Sequence, residues 1–167
     1  MKDLTLIIPA KEEAESLPVF LNELKQIDCK KLIVLQKDDL KTINVVKKMP
    51  NIEILEQINK GYGNALIEGI DATKTKYCCI INADGSMNSK YLSEMHRNCQ
   101  NKDLIFATRY QKSGSGSDDD DIITFVGNKF FTALGNIFFN LKISDILFTY
   151  ILGKTDSFKK LQLKNSD

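Results

Sequence analysis

The sequence predicts an α/β fold with a mostly parallel sheet, and three observations lead there. Short apolar runs at 4–8, 32–35 and 77–81 each end in turn or polar residues, the pattern of strands buried on both faces. Between them lie stretches whose apolar residues recur at helical spacing, Leu17, Phe20, Leu21, Leu24 and Ile27 being the clearest. Strands that alternate with helices build a parallel sheet covered by helices on both faces.

Taken in order, Leu4 to Ile8 reads as a first buried strand, closed by Pro9 and a charged loop from Ala10 to Glu15. Ser16 is expected to cap the helix that follows. Leu32 to Leu35 repeats the strand, Lys37-Asp38-Asp39 forms a polar turn, and Leu40 to Met49 forms a short amphipathic helix ended by Pro50. A weaker strand over 52–56 leads through Asn59-Lys60-Gly61-Tyr62-Gly63-Asn64 into a helix with Ala65, Leu66, Ile67 and Ile70. After the strand at 77–81, Ser89 to Cys99 is expected to be a helix with Tyr91, Leu92, Met95 and Cys99 inward, and Asp103 to Thr108 a strand leading to Arg109. Residues 113–121 join glycines and serines to a block of like charges, which predicts a solvated loop, or a lid that orders on binding ligand. Phe130, Phe131, Leu134, Ile137, Phe138 and Leu141 then form a wide apolar stripe, set apart from Asn128, Asn136 and Lys142. That stripe is expected to pack on the sheet, with a helix lying in a membrane interface as the alternative. From Lys154 the tail is polar and weakly periodic, so its end is expected to fray.

A chain of 167 residues, 43% apolar and 27% charged, suits one soluble domain. Its net charge of +1 argues against a nucleic-acid partner. Cys29, Cys78, Cys79 and Cys99 contain no C-x-x-C pair and read as core residues of a cytoplasmic protein rather than as zinc ligands or a disulfide framework. No signal peptide or membrane-spanning run is visible. His96 sits mid-helix and reads as a packing or surface residue.

The site is expected where the strand at 77–81 stops at Asn82-Ala83-Asp84-Gly85, because ligands of open α/β sheets collect at the carboxyl ends of strands. Mg²⁺ or Mn²⁺ takes oxygen ligands and keeps several waters, so Asn82 and Asp84 could hold such an ion against a substrate's phosphates. The alternative is that Asp84 and Gly85 merely turn the chain.

Together, Ile7-Ile8-Pro9-Ala10-Lys11-Glu12-Glu13, Asn59-Lys60-Gly61-Tyr62-Gly63, Asn82-Ala83-Asp84-Gly85, Thr108-Arg109-Tyr110 and Ile143-Ser144-Asp145 resemble the ordered landmarks of family 2 glycosyltransferases. The subgroup they resemble is that of dolichol-phosphate mannosyltransferases and other polyprenyl-phosphate glycosyltransferases. This resemblance implies a single Rossmann-like domain of GT-A type over residues 1–145, followed by a shortened or truncated segment over 146–167. It implies an inverting transfer from a GDP- or UDP-linked sugar, a Mg²⁺ or Mn²⁺ ion, and a polyprenyl-phosphate acceptor met at the inner face of the membrane. By the same resemblance Pro9, Ala10 and Glu13 lie on the nucleotide side, and Lys60, Gly61 and Gly63 form the turn that approaches the donor. Asn82 and Asp84 take the metal, Asp84 and Arg109 act at the diphosphate, and Lys129 meets the acceptor phosphate. Oligomeric state is left open.

Three departures stand out. Gln36-Lys37-Asp38-Asp39 replaces the family's Asp-Asp-Gly-Ser, where an Asp recognises the base; Asn82 replaces the first carboxylate of Asp-x-Asp; and Ile146-Leu147-Phe148 replaces the continuation after Ser144-Asp145. These motivate a non-catalytic sugar-nucleotide binder or scaffold as the rival reading. A sugar nucleotidyltransferase ranks lower, since the loop after the first strand has no glycine.

Overall fold

In the computed structural model, which describes residues 1–110 and 122–164, the sheet has six strands. They are β1 (Leu4–Ala10), β2 (Lys30–Gln36), β3 (Glu53–Gln57), β4 (Tyr77–Ile80), β5 (Leu104–Phe106) and β6 (Ile151–Lys154), in the order β3-β2-β1-β4-β6-β5. Parallel pairing joins β1 to β2 and β4, and β2 to β3, while β6 runs antiparallel to β4. Every residue of β4 is buried, as its unbroken apolar run requires. Ile7, Leu32, Val34, Cys78 and Ile80 form a core with Ala65, Ile70 and Phe158, and the alternate residues Leu6, Ile8, Ile33, Leu35 and Cys79 are buried as well.

The helices are α1 (Ser16–Glu23), α2 (Leu40–Val46), α3 (Tyr62–Ala72), α4 (Leu92–Asn98), α5 (Ile122–Phe139) and α6 (Thr155–Lys160). Two local expectations are corrected. Ser16 is the first residue of α1 rather than its cap: its hydroxyl donates to Glu13 instead, and no side chain caps the helix. Tyr91 is 48% exposed, because a 3₁₀ turn at 89–91 precedes α4 and takes it off the buried face of Leu92, Met95 and Cys99. The acidic segment 113–121 lies outside the described residues.

The segment after Tyr150 forms two elements that the sequence pattern does not announce. Ile151–Lys154 is a strand in the sheet's interior, and α6 buries Phe158. Lys159 Nζ donates to the carbonyls of Asp71 and Thr73 at 3.1 and 3.0 Å, serving the open carbonyl end of α3. A strand of only two large apolar residues around Gly153 carries too weak a pattern to be seen without its partner β4.

The chain forms two compact units, Met1–Ile105 with Ile151–Asp167, and Phe106–Tyr150. In the second, α5 is inverted relative to expectation. Its inward side is Asn128, Thr132 and Gly135, with Asn136 half-buried, whereas Phe130, Phe131, Ile137 and Phe138 are 59, 53, 76 and 76% exposed. Polar residues at i, i+4 and i+8 form this stripe, and each finds partners in the segment 143–146. Asn136 both donates to and accepts from the Ile143 backbone, and Thr132 Oγ1 accepts the Ile146 N–H. Buried polar groups that are fully bonded cost little, so the segment's hydrogen-bonding demand sets which side of the helix turns in.

Candidate active site

At the carboxyl ends of β1, β2 and β4 the first unit opens a cleft of about 530 Å³. It gathers Pro9, Ala10, Glu13, Lys60, Gly61, Asn82 and Asp84, seven residues that the sequence singled out. Gly63 does not line it; Tyr62 and Ala65 of α3 do, with Lys11, Gln36, Gln57 and Ala83. A second cleft of about 600 Å³ shares Gln36, Gln57 and Lys60 and adds Lys37, Asp38, Glu56, Ile58 and Asn59.

Each wall is fixed by local chemistry. Asp39 caps α2 by accepting the Thr42 N–H at 3.2 Å and also accepts the Glu12 N–H at 2.7 Å, while the Glu13 N–H donates to Thr42 Oγ1. The loop after β1 is thereby latched to the start of α2, with Glu12 held at φ 60°. Burial works against the Asp39 charge, but these N–H donors and the Thr42 hydroxyl outweigh it and hold the carboxyl below its ordinary value. The family's Gly-Ser is replaced here by Asp38-Asp39, and Asp39 keeps the capping role.

The loop before α3 is ordered by three side chains. Glu68 accepts the N–H groups of Ile58 and Asn59, Asn64 donates to the Lys60 carbonyl, and Gln57 Nε2 donates to the carbonyls of Asn59 and Gly61. Gly61 supplies φ 105° with ψ 151°, a conformation that side-chain-bearing residues avoid. Asn59 therefore serves the loop's own order, bonding Glu68 through both backbone and side chain.

Beyond β4, Asp84 Oδ1 accepts the Ser86 N–H at 2.9 Å and Gly85 adopts φ 76°, so the chain turns away and leaves Asp84 exposed at the rim. Asn82 is held from two sides: its N–H points to Met87 Sδ, and the Tyr62 hydroxyl donates to its Oδ1 at 3.0 Å. Among the described residues no three His, Cys, Asp or Glu side chains converge on a metal site. One carboxylate and one amide oxygen fit a hard divalent ion that arrives with a diphosphate and keeps several waters, which is how Mg²⁺ is commonly held.

In the second unit, Arg109 Nε and Nη2 donate to the two oxygens of Asp145 at 2.9 and 3.1 Å. Asn128 Nδ2 donates to Asp145 Oδ1 at 2.9 Å, and the Asp145 side chain is fully buried. Burial opposes the charge, and the Arg109 and Asn128 bonds overcome it, holding the carboxyl below its ordinary value. Asp145 thus holds the Nε–Nη2 edge of the guanidinium. Rings of Tyr110 and Phe148 flank the guanidinium, each 5.1 Å from it. Lys129 lies on the exposed side of α5, its ammonium over the rings of Tyr110 and Phe125.

The remaining sequence expectations have plain structural roles. His96 packs edge-on against Tyr77 with Nε2 3.1 Å from Asp3 Oδ1. All four cysteines are free, and burial pushes the Cys78 thiol up to about 11. No helix among the described residues is long and apolar enough to cross a membrane.

A mostly parallel sheet with a cleft at its strand ends, a turn at Asn82-Ala83-Asp84-Gly85 and a loop entering α3 through Gly61 define an α/β protein whose cleft lies where open sheets of this kind take their ligands. The model of Glycosyl transferase family 2 matches residues 5–162, and the chain belongs to that family. It is 26% identical over 140 residues to poly(ribitol-phosphate) beta-N-acetylglucosaminyltransferase TarP of Staphylococcus aureus (strain N315), a match covering 77% of this chain and 42% of that protein. Mannosyl-3-phosphoglycerate synthase from Rubrobacter xylanophilus shares the fold with a TM-score of 0.68 at 16% identity, covering 93% of this chain and 54% of that one. Glucosyl-3-phosphoglycerate synthase from Mycobacterium tuberculosis, in complex with Mn²⁺, uridine diphosphate and phosphoglyceric acid, does so with a TM-score of 0.61 at 11% identity, covering 92% and 56%. The chain thus spans about half the length of these relatives.

Proposed function

We propose that this chain carries the donor half of an inverting glycosyltransferase, binding a nucleotide-diphospho-sugar with Mg²⁺ or Mn²⁺ and passing the sugar to a phosphate-bearing acceptor. The observation that carries this reading is the convergence of Pro9, Ala10, Glu13, Lys60, Gly61, Asn82 and Asp84 on one cleft in a family 2 chain.

In the reaction, an acceptor oxygen forms its bond to the anomeric carbon as the bond from that carbon to the diphosphate breaks. Asn82 and Asp84 would hold the cation, which when bound neutralises charge on the leaving diphosphate. Lys11 and Lys60, both cleft residues, add positive charge from the protein itself. Arg109, held by Asp145 along its Nε–Nη2 edge, orders its own unit in this scheme.

For the acceptor, we favour a polyprenyl phosphate, which is already an anion and needs no general base. The exposed Phe130, Phe131, Ile137 and Phe138 of α5 suit a helix lying at a membrane surface, with Lys129 offered to the phosphate. On this reading residues 1–145 hold the donor and acceptor elements, and Ile151–Lys154 adds a strand to the sheet. The rival, a non-catalytic binder, is favoured by the single carboxylate at Asn82-Ala83-Asp84. Release of nucleoside diphosphate from UDP- or GDP-sugar with Mn²⁺, measured with and without polyprenyl phosphate in anionic vesicles, decides between them. Acceptor-dependent release supports transfer; tight donor binding without release supports the rival.

A further inference from the structure

We propose that Glu68, a residue of α3 that lines neither cleft, is a positioning residue for the nucleotide sugar: its carboxylate holds the loop of residues 58–61 in the shape that carries Lys60 and Gly61 into the donor cleft. This rests on the reading of that cleft as a donor site.

The loop has no apolar anchor of its own. Ile58, Asn59 and Lys60 are all exposed, Ile58 at 86%, so burial does nothing to fix the chain between β3 and α3. Gly61 follows, and as a glycine it brings no stiffness to the turn. What fixes the loop is polar. Gln57 and Asn64 give it hydrogen-bond donors only, aimed at the carbonyls of Asn59, Lys60 and Gly61. Glu68 gives it acceptors: Oε2 takes the Ile58 N–H at 2.7 Å, while Oε1 takes the Asn59 N–H at 2.9 Å and the Asn59 carboxamide at 3.2 Å.

Glu68 is engaged nowhere else. It is half-buried, and among the described residues no Lys, Arg or His nitrogen pairs with it, so its charge is met by these three N–H groups. Hydrogen bonds to an ionised acceptor are stronger than those between neutral groups. Asn64 and Glu68 are four residues apart on α3 and share the helix face turned to the loop, one holding a carbonyl and the other the N–H groups.

A loop released from Glu68 would stay joined at Gln57 and Asn64, but its N–H groups would turn to water and Lys60 would lose its fixed root. Ordering the loop would then fall to the nucleotide, which weakens binding.

The test separates these bonds from bulk. Glu68→Gln keeps size and shape, but it leaves one acceptor oxygen and sets an amide N–H against a loop N–H; Glu68→Ala removes the group altogether. Hydrogen exchange at the Ile58 and Asn59 amides, urea unfolding, and calorimetric binding of UDP with and without Mn²⁺ are measured on wild type and both variants. Expected are slow exchange at both amides in wild type, exchange at least about tenfold faster in each variant, and UDP binding weakened about tenfold in each. The factor by which Mn²⁺ strengthens binding should stay that of wild type, because Asn82 and Asp84 follow β4 and not the loop. A merely structural role would move the urea midpoint and leave the folded variants with wild-type affinity. UDP binding at wild-type strength by Glu68→Gln, or unchanged exchange at the two amides, overturns the proposal while the donor site stands. Fast exchange at both amides in wild type overturns it whatever the variants do. No binding of UDP by wild type overturns the donor site and this proposal with it.

Discussion

The Tyr62 hydroxyl donates to Asn82 Oδ1 across 3.0 Å, joining the first turn of α3 to the end of β4. This bond fixes the oxygen that would face a cation, and Asn82 Oδ1 keeps a second lone pair for that role. Tyr62→Phe keeps the ring and removes the donor. It is expected to weaken Mn²⁺-dependent UDP binding roughly three- to tenfold and to change stability by about 1 kcal/mol through the lost hydroxyl bonding. Calorimetry alongside urea denaturation checks both.

Asp39 is the latch between the β1 loop and α2. Asp39→Ala is expected to cost about 1–2 kcal/mol in urea unfolding, through a lost cap and a freed Glu12 N–H. Because the folded carboxyl titrates below its unfolded value, its contribution is present above the unfolded pKa of about 3.9 and is lost as pH falls through the folded value. The gap in urea midpoint between wild type and variant should therefore close below about pH 4 and stay constant near neutrality.

Much of the first unit was legible because its strands bury both faces and its turns carry their own chemistry. β4 stood out through Tyr77 to Ile81, and the turns after β1 and β4 together with the loop before α3 hold the seven cleft residues that the sequence landmarks singled out. Gln57 and Tyr62 went unseen, since a half-buried amide at a strand end and an exposed tyrosine in a first helical turn have no periodic signature. Strand β6 was hidden for a related reason: its antiparallel place beside β4 depends on a partner about 70 residues away in the chain. On α5 the apolar stripe was read correctly as a face, yet its direction depends on whether Asn128, Thr132 and Asn136 find partners. Sequence spacing does not encode that.

The inversion of α5 makes a test with reversed expectations. Phe138→Ser, at an exposed position, should shift stability by less than about 0.5 kcal/mol, whereas Asn128→Leu should cost about 2–3 kcal/mol by leaving Asp145 short of a donor. Thermal unfolding of the two variants checks the ordering. Co-sedimentation of Phe138→Ser with anionic vesicles, expected to fall relative to wild type, checks the membrane reading separately.

Asp145 and Arg109 form the charged centre of the second unit. Asp145→Asn removes the buried carboxylate that Arg109 and Asn128 bond and should destabilise by about 3 kcal/mol at neutral pH. With the folded carboxyl lowered by its donors, that stabilisation holds above about pH 4 and fades as pH falls through the folded value. Urea midpoints of wild type and variant should converge in acid; a constant gap would mean that the charge is not what matters.

The cleft's assignment is tested most directly by titrating UDP into wild type, Asp84→Ala and Asn82→Asp, each with and without Mn²⁺. Asp84 supplies the one carboxylate of the turn, so Asp84→Ala should abolish the Mn²⁺-dependent part of binding while unfolding changes by about 1 kcal/mol or less. Asn82→Asp adds a second carboxylate and should tighten Mn²⁺-dependent binding. If Asp84→Ala binds UDP with Mn²⁺ as wild type does, the turn after β4 is only a turn, and the donor-site account is contradicted.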